Sequence, residues 1–338
     1  MQGFFLEYRD PIFGLIIFVS TILMIAILSY IWGLFSAKEQ KDSIERFIKK
    51  FNSNKELDSR YIKILEESDL ECGAYEILAS MFSRSGEFTK AIDIYLVALE
   101  KIKEKNDKIF ILNSLAKVYF KAGFLKKSSE IFLESIKLDH KNGDALKMLG
   151  VIYEKLKLYD KELEVLDALM EQNYNVQNAI SYARINMIID DATLTFDEKI
   201  KRLLEEKEFK FLGRVILELF IKNKEPLSNV PLFPKPQDAL DIIWYLDERI
   251  NLKDSKYKAL FDAKDGKETN SDIFEINALA AMKKSGFEEA SLSFKFICLE
   301  CKNSFPLFFY RCPVCYSLES AKIITSLVKN SEEDIPFL

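Results

Sequence analysis

A small residue returns at Ala79, Ala116 and Gly150, at intervals of 37 and 34 residues, and the same surroundings return with it. The first unit reads Tyr75-x-x-Leu78-Ala79-x-x-Phe82, then Gly86, Ala91, Tyr95 and Ala98. The second reads Leu112-x-x-Leu115-Ala116-x-x-Tyr119, then Gly123, Ser128, Phe132 and Ser135. The third reads Leu146-x-x-Leu149-Gly150-x-x-Tyr153, then Glu162, Leu166 and Leu169, with Lys157 where the turn glycine stood and Glu162 where the small residue of the second helix stood. Apolar residues three and four apart make each half of a unit an amphipathic helix. Two helices that cross closely need one position without bulk, and the aromatic beside it fills the remaining gap. No such pair buries its apolar face alone, so the units must stack. An ordinary helical bundle with coincidental spacing is the competing reading.

The pattern resembles the tetratricopeptide repeat, whose period is about 34 residues. The clearest repeats are 72–105, 109–142 and 143–176, within a predicted solenoid over 38–290. Beyond residue 175 the repeat erodes while helical periodicity continues. Candidate helices are 177–190, 197–208, 210–223, 238–251 and 272–285, and Leu279-Ala280 with Gly286 and Ala290 reads as an eroded repeat. The proline-rich stretch 225–236 breaks any helix. It is either an extended docking peptide or a long inter-repeat loop. Lys264-Asp265-Gly266-Lys267 is a second predicted loop.

Pro11 to Ala37 is 27 residues without a charge. That is long enough to cross a bilayer core of about 20 apolar residues. Residues 1–37 are therefore predicted to be a membrane anchor. A cleaved signal peptide fits less well, because Glu7, Arg9 and Asp10 precede the apolar run and no small-x-small site follows it. Arg9 alone precedes the span, whereas Lys38, Lys41, Arg46, Lys49 and Lys50 follow it. The positive-inside rule puts the larger part in the cytoplasm.

Four of the five cysteines form Cys298-Leu-Glu-Cys301 and Cys312-Pro-Val-Cys315. Two such pairs make two knuckles that bring four thiolates into a tetrahedron suited to one zinc or one iron. Alternation at Leu292, Phe294 and Phe296, and the run Leu307-Phe308-Phe309-Tyr310, suggest short strands leading into the knuckles. Two disulfides or four unrelated thiols are the alternatives. The predicted metal module spans 291–320 and a tail covers 321–338. With all four positions thiolate, no ligand position stays open, so the expected role is structural. The stacking argument then predicts that metal loss unfolds only about 292–320. Cys72 reads as a small buried residue.

Composition narrows the function. One histidine, His140, leaves little for histidine catalysis, and the net charge of −5 argues against nucleic acid as a partner. No glycine-rich phosphate loop and no nucleophile elbow occurs. The expectation is a protein that is not an enzyme. Transferring the repeat register puts Glu76, Ser80 and Arg84, then Asn113, Lys117 and Lys121, then Lys147, Val151 and Lys155 on the inner face. Five of these nine carry positive charge, so the face is a candidate dock for an acidic segment or carboxylate, or simply a solvated surface.

The order of parts is similar to that of the lipopolysaccharide assembly protein B family of Gram-negative bacteria: membrane helix, tetratricopeptide solenoid, then a rubredoxin-like module carried by Cys298, Cys301, Cys312, Pro313 and Cys315. Rubredoxin-like knuckles usually carry glycine after each second cysteine; here those positions are Lys302 and Tyr316. The resemblance implies a mainly α protein with a small zinc-ribbon module, anchored in the bacterial inner membrane. It implies an adaptor that brings the deacetylase of lipid A synthesis to a membrane AAA+ protease and helps organise lipopolysaccharide assembly factors. It also implies that the metal module packs on the repeats. A general scaffold for another membrane complex and an iron-tetrathiolate redox protein are the rival readings. Homo-oligomerisation is compatible with the adaptor reading and with both rivals.

Overall fold

The structure, a computed structural model, describes residues 17–30 and 57–329. Residues 17–30 form helix α1, with Ile22, Leu23, Ile25 and Leu28 exposed. No helix among the described residues is long and apolar enough to cross a membrane. The predicted span over 11–37 lies partly outside those residues.

The chain divides within one helix into two compact units, 1–152 and 153–338. The first contains α2 (Ser59–Glu67), α3 (Cys72–Arg84), α4 (Phe88–Lys101), α5 (Lys105–Lys121), α6 (Leu125–Leu138) and most of α7 (Gly143–Lys155). Helices α3 and α4 pack as one pair, α5 and α6 as the next, and α4 packs on α5 between them. Ala79, Ala91, Ala116 and Ser128 are fully buried, as the close-crossing argument requires. The Ser128 hydroxyl donates to the Ala116 carbonyl at 2.8 Å, so a polar residue serves where alanine serves in the previous pair. Every residue from Ala91 to Leu99 is buried, because α4 has α2, α3 and α5 around it.

Each first helix ends in the same way. The amide five residues past the repeat aromatic closes on that aromatic's carbonyl: Glu87 on Phe82, Phe124 on Tyr119 and Leu158 on Tyr153, each at 2.9 Å. This closure needs a left-handed residue just before the donor. Gly86 (φ 84°) and Gly123 (φ 82°) supply it, and so does Lys157 (φ 57°) in the third unit. The missing glycine changed the residue, not the turn.

The second unit continues with α8 (Tyr159–Glu171), α9 (Gln177–Asp190), α10 (Phe196–Leu203), α11 (Leu212–Asn223), a 3-10 turn (Leu227–Asn229), α12 (Pro236–Tyr245), α13 (Ser255–Lys264) and α14 (Phe274–Lys284). Three strands follow: β1 (Ala290–Cys298), β2 (Ser304–Phe305) and β3 (Ala321–Lys329), in the order β2-β1-β3. Strand β3 pairs with β1 over its whole length, from Ala290↔Lys329 to Cys298↔Ala321. Residues 321–329 are thus half of the main hairpin, which corrects the expected tail at 321–338; 330–338 lie outside the described residues. Ala290 opens β1, so the eroded repeat read at 279–290 is also corrected: its second helix is a strand. Helix α13 was not foreseen, because its apolar residues Tyr257, Ala259, Leu260, Phe261 and Ala263 surround the helix instead of striping it.

The proline-rich stretch is an inter-helix connection packed on α11. Tyr257 donates to the Pro234 carbonyl at 2.7 Å. A side chain at Gly213 would meet the Pro234 backbone at 2.9 Å, so only glycine lets α11 approach it. Pro236 then opens α12, where its missing amide costs nothing. One hydrophobic core runs from Tyr182 through α11, α12 and α13 to Leu292 and Ala321 in the sheet, with Phe308, Phe309, Tyr310 and Leu318 packed against it.

Candidate metal centre

The two knuckles are built alike. The Cys298 amide donates to the Asn303 carbonyl at 3.0 Å, and the Cys312 amide to the Ser317 carbonyl at 2.8 Å. The amides of Lys302 and Tyr316 return to the carbonyls of Cys298 and Cys312, each at 3.0 Å. Lys302 and Tyr316 both sit at φ 61°. The turn expected to want glycine is present in both knuckles and is held by non-glycine residues.

All four Sγ atoms lie within 4.8 Å of one another. Cys298 and Cys315 are 3.6 Å apart, and Cys301 and Cys312 are 3.7 Å apart. A tetrahedron of four sulfurs at the zinc–thiolate distance has edges of about 3.8 Å. The sulfurs are therefore placed for one tetrahedral ion, and all four cysteines are free thiols rather than disulfides. Soft thiolates alone select zinc or iron. Cys298 and Cys312 are fully buried, whereas Cys315 is exposed.

The thiols are not equivalent. Burial raises Cys298, but hydroxyls of Ser320 and Ser317 with the amides of Cys301 and Glu300 outweigh it and bring it down to about 5. The Asn303 side chain and amide lower Cys301. Burial pushes Cys312 up to about 12 against the amides of Cys315 and Val314.

The second knuckle is tied to helices of its own unit. Tyr310 donates to Glu218 on α11 at 2.7 Å, and burial raises its phenol well above the ordinary range. Arg311 donates to Glu154 at 2.5 Å and to the Tyr316 carbonyl at 3.0 Å. Glu319 accepts from Asn178 at 3.0 Å and from the Lys210 amide. Arg214 is buried in a fork–fork pair with Asp241 at 2.6 and 2.8 Å, with Glu218 at 2.8 Å on its third nitrogen. Its guanidinium lies 3.5 Å from the centroid of Phe308. Sequence reading missed these residues because nothing local marks a side chain whose partner lies from 27 to 157 positions away, as for Arg214 with Asp241 and Arg311 with Glu154.

Near this clamp stands Glu162. It is 1% exposed, and neither carboxylate oxygen has a hydrogen-bond partner. Burial and then the nearby Glu154 push it up to about 8, with Arg311 acting in the opposite sense.

The nine expected dock residues fall into two groups. Arg84, Lys117, Lys121, Lys147 and Lys155 are exposed. Val151 is a correction: it is 5% exposed and belongs to the core. Asn113 is a stitch between neighbouring helices, accepting from Ser135 at 2.8 Å and from Asn142 at 3.3 Å, while Asn142 caps the Ala145 amide at 3.1 Å. Glu76 accepts from Tyr95 at 2.7 Å, and Ser80 bonds back to the Ile77 carbonyl at 3.0 Å.

No family model matches the chain, and no curated protein matches it. Among solved structures, a tetratricopeptide repeat protein from Parabacteroides merdae is similar at 16% identity over 75% of this chain and 93% of that one, with a TM-score of 0.39. MamA (AMB-1) is similar at 18% identity over 46% of this chain and 85% of that one, with a TM-score of 0.32. Scores this low carry no argument; the tetratricopeptide-like description rests on the crossings and turns above.

Proposed function

We propose that the chain is a protein-binding scaffold without chemistry of its own, whose tetrathiolate module is a structural clamp. The observation that carries this reading is the division of labour in the repeats. Apart from the exposed Leu78 and the half-buried Phe82, the repeat-defining side chains of the first two pairs are spent on packing, while the exposed positions of α5 offer Lys117 and Lys121 at one-turn spacing. Two cations so placed suit an acidic segment or a terminal carboxylate. The test is capture of cell proteins by the full chain. Lys117→Glu with Lys121→Glu is expected to abolish capture of acidic-tailed partners at unchanged Tm; unchanged capture would remove this surface.

The finer reading follows the family resemblance. It is an adaptor tethered at the bacterial inner membrane that presents the lipid A pathway deacetylase to a membrane AAA+ protease. The apolar run 11–37 and the lysine-rich segment after it support the tether. Depleting the protein should then raise deacetylase abundance. An unchanged level would leave the general scaffold and end the adaptor reading. Visible colour in the purified protein would favour iron, and with it the redox alternative; a colourless metal-loaded protein favours zinc.

A further inference from the structure

The two knuckles share one sequence register, fourteen positions apart, and one set of backbone hydrogen bonds, and beyond these stand side chains that the backbone match does not require. Two residues past the outer cysteine stands a polar side chain in each. Asn303 Nδ2 donates to Cys301 Sγ at 3.2 Å, and Ser317 Oγ lies 3.0 Å from Cys315 Sγ. Ser320 adds a third, 3.2 Å from Cys298 Sγ, where the first knuckle has Pro306. Ser317 and Ser320 touch each other at 2.8 Å. Cys312 is the thiolate with only backbone amides around it.

Hydroxyls are rotors, so their protons follow the charge. With the site as thiols, Cys298 donates to Ser320, and Ser320 points at the Ser317 carbonyl at 3.3 Å. A metal-bound thiolate only accepts. Ser320 must then turn its proton to Cys298, and Ser317, which donates its one proton to Ser320 in the thiol form, must turn it to Cys315. One hydroxyl pair thus serves a sulfur from each knuckle.

We propose that Ser317 and Ser320, with Asn303, are the positioning shell of the metal: they hold Cys298, Cys315 and Cys301 in place, and Ser317 quenches the nucleophilicity of the exposed Cys315. The proposal rests on the tetrathiolate reading. Outer-shell partners of this kind set ligand orientation and donor strength. Cys315 is the sulfur that solvent-borne electrophiles reach, so its hydrogen bond decides how long the metal is kept.

The test uses the full chain, loaded with zinc or cobalt. Ser317→Ala with Ser320→Ala should weaken zinc in chelator competition by about 10–100-fold. The thiolate-to-cobalt charge-transfer band should move to lower energy, because a thiolate without its hydrogen bond gives up an electron more easily. Ser317→Ala alone should speed iodoacetamide-driven zinc release, and Ser317→Thr should restore both band and rate. Ser317 is half-buried, so the single variant carries the test if the double one fails to fold. Unchanged affinity, band energy and release rate in a cobalt- and zinc-binding protein would overturn the shell alone. A wild-type chain that takes neither ion would overturn the metal reading and the shell together.

Discussion

The two units solve the burial problem differently. In the first, contacts run between neighbouring helices: α3 with α4, α4 with α5, α5 with α6. In the second, one core joins Tyr182 to Ala321 and gathers residues from six helices and two strands. Polar groups follow the same division. The first unit buries short local hydrogen bonds such as Ser128 to Ala116, whereas the second buries Arg214 against Asp241 beneath Phe308. A stack whose terms are nearest-neighbour can lose a member gradually. A shared core with a buried charge fails as a whole. The difference teaches that the metal module is a wall of the second unit, not an appendage to it.

The largest effect should come from breaking that wall. Cys312→Ser is expected to lose the metal and with it binding energy on the order of 10 kcal/mol. The loss should spread past 292–320 into α9 and the start of α11, because Tyr182, Phe209 and Phe211 pack on Tyr310. Metal analysis with hydrogen exchange checks it; protection that survives in α11 would restore the narrower expectation. Unit one should keep its protection throughout.

Next comes the buried cation. Arg214→Ala should cost about 3–5 kcal/mol, since it strands the largely buried Asp241 carboxylate. Denaturant unfolding reads this directly, and a cost below 1 kcal/mol would mean that the second unit is no more cooperative than the first.

Glu162 sharpens the comparison in the opposite sense. Its folded pKa lies above its unfolded one, so the ionised form is penalised by folding. The penalty is absent below about pH 4.5, grows as pH rises, and is complete above about 8. Glu162→Gln should therefore stabilise by roughly 4 kcal/mol at pH 8 and by almost nothing at pH 4.5. Unfolding measured at both pH values decides; a gain independent of pH would assign the effect to packing.

The smallest effect tests the repeat turn. Lys157→Gly should stabilise by about 0.5–1 kcal/mol, relieving a left-handed side-chain residue at the cost of some chain entropy. Gly123→Ala, the reverse change in the neighbouring unit, should destabilise by a similar amount.

Much of the first unit was legible because its information is local. Ala79, Ala116, Gly86 and Gly123 mark crossings and turns through properties of single residues: no bulk, or freedom at positive φ. The four cysteines were legible for the same reason, since their spacing alone closes the knuckles. Val151 was misplaced because it stands at the same register step as the exposed Lys117, so repeat register alone did not separate a groove position from a core position. Asn303 and Ser317 had a visible signal, a polar residue two past each outer cysteine, whereas Ser320 had none.

The sequence by itself determined the helix pairs, their turns and the tetrathiolate, because each depends on residues within a few turns of one another. Only the tertiary structure decided that β3 completes the sheet, that Arg214 stacks on Phe308, that Arg311 reaches Glu154, and that Glu162 is buried without a partner. Those contacts join positions up to 157 residues apart. At that separation a side chain's type fixes what it can bond to, and only the packed backbone fixes what it meets.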